Sequence, residues 1–120
     1  MIDEIIASVR QSVITNLNLS ENYTLNFRLY GKNGVMAEYE PLKNVIGHEL
    51  GILIEAIAAT QEIANVICSL ARSTMLHYGY EGRIATSGNL AFPFSPSDCE
   101  CGEVYVFNVY HLLEVVDASE

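Results

Sequence analysis

The spacing of apolar residues changes along this chain, and the order of those changes limits the folds available to it. Residues 2–17 place apolar side chains at helical intervals, and residues 23–29 alternate apolar and polar side chains as a half-buried strand does. Residues 50–59 are apolar on both parities, which favours a central strand over an edge strand. Helical spacing returns over residues 60–79, and residues 103–116 again predict a strand that is apolar on both faces.

These segments predict the order α-β-β-α-β-β, in which the fifth element is a short strand or a loop within residues 82–96. One antiparallel sheet with two helices on one face satisfies this order, because each helix presents a single apolar stripe. The order matches a ferredoxin-like split βαβ core whose elements start at a different point. We therefore predict one α+β domain over residues 1–120, with a ferredoxin-like sandwich.

Local signals predict where the elements end. The Asn-rich residues 16–22 end the first helix, and the Gly-Lys-Asn-Gly of residues 31–34 predicts a turn because Gly and Asn tolerate positive φ. Thr60 is placed to cap the second helix, with Glu62 in its first turn, and Gly79 is the expected C-terminal cap.

The composition indicates a folded domain and excludes some partners. Half of the 120 residues are hydrophobic and only 18% are charged, which is not the composition of a disordered chain. Fifteen acids stand against six basic residues, and a net charge of −9 repels nucleic acid and anionic membranes, so neither is an expected partner. The first residues carry acids and no signal-peptide cleavage pattern, so we expect a cytoplasmic location.

The cysteines and histidines do not predict a metal or a cofactor. Cys99 and Cys101 are only two residues apart, which does not suit a structural disulfide, and with Cys68 they make an odd set that favours a reduced compartment. Two loop thiols leave a tetrahedral zinc site half built. The three histidines share no close ligand spacing, so we expect no metal site, no cofactor and incidental thiols.

His77 falls in the last turn of the second predicted helix, on the inner side of its helical wheel. It is either a capping or buried histidine bonded to a loop carbonyl, or part of a binding site. A Ser87, histidine and Asp98 arrangement is chemically conceivable, but scattered polar residues of this kind occur by chance. The sequence therefore leaves open whether the protein is an enzyme.

The loop from Arg83 to Asp98 is the densest cluster of candidate binding groups. It places small polar side chains around Gly88 and stiffens the chain that follows with two prolines. Such a loop exposes backbone N–H groups that bind carboxylate or phosphate oxygens, and Arg83 would complete an anion site. The alternative is a structural loop whose hydroxyl groups satisfy its own backbone and whose phenylalanines lie in the core.

Three blocks of sequence resemble a known family. They are LYGKNGVMAEYEP from Leu29 to Pro41, the long block from Thr60 to Asp98, and VYVFNVYHLLEV from Val104 to Val115. Together they are similar to the C-terminal part of proteins related to the acyclic terpene utilisation family. The likeness spans roughly residues 23–116, and the paired cysteines Cys99 and Cys101 depart from the family pattern.

The resemblance implies a cytoplasmic role in the catabolism of branched or terpenoid acids, at the level of acyl-CoA or carboxylate intermediates. It implies no particular reaction or cofactor. The positions that match the family motifs, and that the resemblance makes candidates for ligand binding, are Asn33, Arg72, His77, Arg83, Ser87, Asn89 and His111.

Two hypotheses of function follow. The first is an accessory or interaction module that docks on a larger catalytic subunit or on itself. A homodimer or larger homo-oligomer is expected, because the strand predicted over residues 103–116 is too apolar on both faces to be left in water. The second is a small ligand-binding protein or enzyme that uses the loop from Arg83 to Asp98 for a carboxylate or an acyl-CoA.

Overall fold

Two helices and a two-stranded antiparallel sheet make up the fold in a computed structural model that describes residues 1–18, 22–44 and 47–112. The elements are helix α1 (Ile2–Leu17), strand β1 (Tyr23–Tyr30), a short 3-10 turn (Ala37–Tyr39), strand β2 (Gly51–Ala58) and helix α2 (Gln61–His77). The α+β class is confirmed, and the order among the described residues is α-β-β-α.

Helix α1 forms because its apolar residues recur on one face. Ile5, Val9 and Val13 are buried on that face. Acidic residues occupy the first turn, where their negative charge interacts favourably with the positive end of the helix dipole. The helix ends as predicted within the Asn-rich segment. Asn18 adopts a left-handed conformation with φ 44°, and its N–H donates to the Ile14 carbonyl over 3.3 Å.

The two strands pair over their full length, with Tyr23 opposite Ala58 and Tyr30 opposite Gly51. Alternation along β1 buries Leu25 and Leu29, as the period of two predicts. The remaining residues of this parity also pack against the core, and they are Tyr23, Phe27, Ile52, Ile54, Ala56 and Ala58. Both helices therefore cover the same face of the sheet, as predicted.

The turn predicted at residues 31–34 is confirmed. Gly31 has φ 96°, and a Cβ on Gly34 would lie 2.9 Å from the carbonyl carbon of Leu29. The Leu29 carbonyl accepts the N–H groups of Lys32, Asn33 and Gly34 at 2.9–3.0 Å. Glycine is required at these two positions, one for its backbone angle and the other for lack of space.

Helix α2 begins as predicted, because the Oγ1 of Thr60 accepts the N–H of Ile63 over 3.3 Å. Its buried residues are Ile67, Ala71 and Met75. The buried stripe follows the i, i+4 row through Ile67, so the neighbouring Val66 is 51% exposed.

Gly79 is not the C-terminal cap that the sequence predicted. Helix α2 ends at His77 and its cap is Tyr78, which has an ordinary negative φ of −55°. A left-handed glycine is not needed there, because side chains from the following loop bond the last carbonyls of the helix, as described below.

The prediction that β2 is a central strand is wrong for the sheet of the described residues, because β2 pairs only with β1 and has an open edge. The two later strands are also not seen. Residues 82–96 form turns and irregular chain, and residues 103–112 have no strand partner; residues 113–116 lie outside the described residues. A strand exists only as part of a hydrogen-bonded ladder, and no third segment among the described residues pairs with either edge of the sheet.

No helix in the described ranges combines the length and the apolar content needed to cross a membrane.

Candidate functional site at the end of helix α2

The loop that follows α2 folds back over the C-terminal end of the helix and donates to its carbonyls. The Nη1 of Arg83 lies 2.7 Å from both the His77 and the Tyr78 carbonyl oxygens. The Nδ2 of Asn89 donates to the carbonyl of Met75 at 3.0 Å and to that of Tyr78 at 2.8 Å. The last carbonyls of a helix have no partner within it, so these two side chains cap α2.

His77 also belongs to this cap. Its Nδ1 lies 3.0 Å from the carbonyl oxygen of Thr86, and since a carbonyl only accepts, the contact requires the ring proton on Nδ1. This confirms the interpretation of His77 as a histidine bonded to a loop carbonyl. Its predicted position on the inner side of the helix is wrong, because the residue is exposed and its ring turns toward the loop.

Arg72 is already paired with a carboxylate from the far end of the loop. Its Nε lies 2.8 Å from Oδ1 of Asp98, poorly aligned for a hydrogen bond, and its Nη2 donates to Oδ2 over 3.1 Å. The guanidinium also lies over the ring of Phe92 at 5.9 Å. The charge of Arg72 therefore attaches the loop to α2.

The other three candidate residues lie elsewhere. Asn33 is in the turn after β1 and lines a separate cleft of about 350 Å³ beside that turn. Ser87 is exposed in the loop, and His111 is exposed in the segment beyond it. Of the seven candidates, the cap joins only His77, Arg83 and Asn89.

A second, smaller cleft of about 210 Å³ lies beside the cap, lined by Tyr80, Arg83 and Asn89 among others. The Oδ1 of Asn89 is buried there and has no hydrogen-bond partner among the described residues. Because this oxygen is closed to solvent, a ligand in the cleft reaches it only if the loop moves.

The interpretation of this segment as a structural loop predicted that its phenylalanines lie in the core. That prediction is wrong. Phe92 is 44% exposed and Phe94 is more exposed still. Leu90 takes the place against the core instead. The loop is thus held to the body by Leu90 and by polar contacts such as that between Arg72 and Asp98, and just beyond the loop Asn65 donates to Glu100 over 2.7 Å.

The free thiols do not form a reactive centre. Burial raises the pKa of the Cys68 thiol, and the nearby Asp98 carboxylate raises it further, so its thiolate is disfavoured. Cys99 and Cys101 are exposed thiols of the irregular chain. Within the described ranges, no three or more His, Cys, Asp and Glu side chains are grouped so that they could hold a metal ion.

The most distinctive surface of the protein belongs to a segment for which the sequence predicted a strand of the sheet. Residues 104–112, called the arm here, run without regular secondary structure and every one of them is exposed. Its large apolar residues are between 56% and 99% exposed, and they are Val104, Tyr105, Val106, Phe107, Val109, Tyr110 and Leu112. A run of this kind is typical of an interaction surface.

Fold and site together define a small α+β protein with a loop-capped helix and an exposed apolar arm. No family model, no curated protein and no solved structure matches the chain. The resemblance to the acyclic terpene utilisation family therefore stays a prediction.

Proposed function

We propose that this chain is an interaction module, which works by docking its arm on another polypeptide. The single observation that carries the proposal is the exposure of the nine consecutive residues of the arm. Burying one large apolar side chain stabilises a complex by roughly 1.5–3 kcal/mol before ordering costs, and the arm carries seven of them. A protein partner supplies the apolar surface and the backbone hydrogen bonds that an extended segment lacks.

The contacts of the loop also favour docking over ligand binding. Arg83 and Asn89, the strongest candidates for an anion site, donate to helix carbonyls, and Arg72 is paired with Asp98. These groups would have to give up existing bonds before they could bind a carboxylate. The loop is therefore best explained as the cap of α2 and as the attachment that sets where the arm leaves the body.

The role that the resemblance implies fits an interaction module. We place the chain as an accessory subunit in the cytoplasmic catabolism of branched or terpenoid acids, assembled with itself, with a larger catalytic subunit, or with both. The net charge of −9 argues against nucleic acid and anionic membranes as the surface on which the arm docks. A third strand contributed by docking would extend the sheet toward the ferredoxin-like arrangement.

One observation favours the second hypothesis, a ligand-binding site. Arg83 and Asn89 both line the smaller cleft beside the cap, and the Oδ1 of Asn89 is buried without a partner among the described residues. A carboxylate or an acyl-CoA is the ligand that the sequence predicts for this loop. Calorimetric titration with branched hydroxy acids and acyl-CoAs tests this, and no heat of binding from any of them would reject the site.

Native mass spectrometry tests the docking function. The chain is compared with Phe107→Asp, which puts a charge in the arm, and with Ile84→Asp, which makes the same kind of change at a fully exposed apolar residue outside it. We expect the wild type and Ile84→Asp to assemble beyond 13.3 kDa, alone or with a protein recovered from host extract, and Phe107→Asp not to. Wild-type chain that stays at 13.3 kDa in both conditions, or assembly that survives Phe107→Asp, would contradict the proposal.

A further inference from the structure

The two open edges of the sheet differ in how firmly they are blocked. At the β1 edge, the Leu25 carbonyl accepts a bond of 2.6 Å from Nη1 of Arg10, whose guanidinium also lies over Phe27 at 5.2 Å. At the β2 edge, the Ile54 carbonyl accepts from the thiol of Cys68, at 3.7 Å, and this is its one side-chain partner among the described residues. A charged donor at short distance holds its acceptor, whereas a thiol is a weak donor that another N–H replaces easily. The β2 edge is therefore the one open to a further strand.

The side chains of β2 suit an apolar neighbour on both faces of the sheet. Ile52, Ile54, Ala56 and Ala58 line the core face, while the opposite face carries Leu53 and Ile57 on either side of Glu55. The corresponding outer positions of β1 are polar, and they are Thr24, Asn26 and Arg28. Because cross-strand neighbours stabilise a sheet in pairs, a strand that is apolar on both parities fits beside β2 and not beside β1.

The arm has that pattern and the right length. One parity carries Val104, Val106, Tyr110 and Leu112, and the other carries Tyr105, Phe107 and Val109. The arm spans nine residues, and β2 spans eight. It contains no acid and no base other than His111, so it adds no negative charge beside the Glu55 of β2.

The path of the chain directs the arm away from its own β2. Asp98 is attached to Arg72 and Glu100 to Asn65, so this segment runs along α2 toward the helix N-terminus. The arm leaves at that end. Among the described residues the arm makes no strand pair with its own β2, so that edge is left for a second copy.

We infer that the arm of one copy adds as a third strand to the β2 edge of a second copy, and that the exchange is reciprocal. The inference rests on the proposed docking function of the arm and names its partner. Donor segment and acceptor edge occur on the same chain, so two copies related by a two-fold axis satisfy each other and the assembly closes. Since each copy carries a net charge of −9 and the two copies repel, added salt should strengthen the dimer.

Disulfide trapping tests the geometry. In a Cys99→Ser, Cys101→Ser background, either Val106→Cys or Phe107→Cys is introduced beside the native Cys68 and oxidised with copper phenanthroline at alkaline pH. We expect a species of twice 13.3 kDa for one of the two positions only, because neighbouring strand residues face opposite sides and Cys68 lies on the helix side. A link within one chain, equal linking at both positions, no linking at either, or linking that persists in Cys68→Ala overturns the exchange.

Proline variants separate this inference from the proposed function. Val106→Pro and Val109→Pro remove ladder hydrogen bonds on opposite sides of the arm, whereas Glu103→Pro, just before the arm, leaves the ladder intact. Sedimentation should show the doubled mass for the wild type and Glu103→Pro, and its loss in at least one arm variant. If the arm binds another protein while the purified chain never doubles its mass, the exchange fails and the docking function stands. If arm variants alter no assembly, both fail.

Discussion

Replacing Arg83 with alanine should destabilise the protein, although the residue lies in an irregular loop. Its Nη1 donates to two carbonyls at the end of α2, those of His77 and Tyr78, each over 2.7 Å. In Arg83→Ala these carbonyls lose a charged donor. The side chain is half-buried, so water replaces the lost bonds only in part.

The size of the effect follows from the geometry of the cap. A hydrogen bond to a charged group contributes about 1.5–3 kcal/mol, but both bonds share one nitrogen and do not add in full. Partial access of water lowers the sum further. We therefore expect Arg83→Ala to lower the free energy of unfolding by about 2 kcal/mol.

Urea unfolding followed by helix circular dichroism measures this loss. Arg28→Ala is the matched control, because that arginine is also half-exposed but lies 3.9 Å from its partner Glu55, a surface pair that contributes about 0–1 kcal/mol. Asn89→Ala should be coupled to Arg83→Ala, since both side chains donate to the Tyr78 carbonyl. A loss in Arg83→Ala no larger than in Arg28→Ala would refute the assignment of the loop as the cap of α2.

Four further predictions concern the body of the fold and the thiols. Thr60→Ala should lower the free energy of unfolding by about 1 kcal/mol in the same assay, because it removes the N-terminal cap of α2. Ile67→Ala, at a fully buried position, should lower it by about 2–5 kcal/mol, and a loss under about 1 kcal/mol would contradict the core. The backbone N–H of Glu62 and the Thr60 side chain hold the pKa of the Glu62 carboxyl below its usual 4.5, so its contribution is present above pH 4.5 and lost as the pH falls through the lower folded value. The difference in free energy of unfolding between wild type and Glu62→Gln should therefore shrink as the pH falls from neutral to 3. A difference that stays constant would contradict the lowered pKa of Glu62. Replacing Cys99 and Cys101 with serine should leave the melting temperature unchanged, and a large fall would indicate bound metal.

The elements that could be predicted are those whose stabilisation is local or comes from one face. Alternation in β1, the stripe of α1 and the Thr60 cap each depend on residues a few positions apart, and the structure has all of them. The positive φ of Gly31 belongs to the same group, because a turn needs only its own residues. These features do not depend on what the rest of the chain does.

The cap of α2 could be predicted only in part. The sequence singled out Arg83, Asn89 and His77 as polar residues worth noting, and the structure does bring these three together. The sequence could not show that their partners are backbone carbonyls. Every residue carries such a carbonyl, so the residue types do not indicate which one a side chain will bond. A polar side chain shortly after a helix supports a cap and a ligand site equally well until its hydrogen-bond partner is known.

The strand predicted over residues 103–116 is absent from the described residues 104–112, and the proposed docking of the arm gives a physical reason for this. Apolar residues on both parities indicate a segment with neighbours on both faces, but periodicity cannot say which chain supplies them. The same ambiguity affects β2, whose two-sided apolar pattern predicted a central strand and whose outer edge is open. Two segments carry the pattern of interior strands, and within the described residues β2 has a neighbour on one side only and the arm has none. The pattern and the structure agree once the arm and the β2 edge occupy each other, and two copies of one chain provide that without any further component.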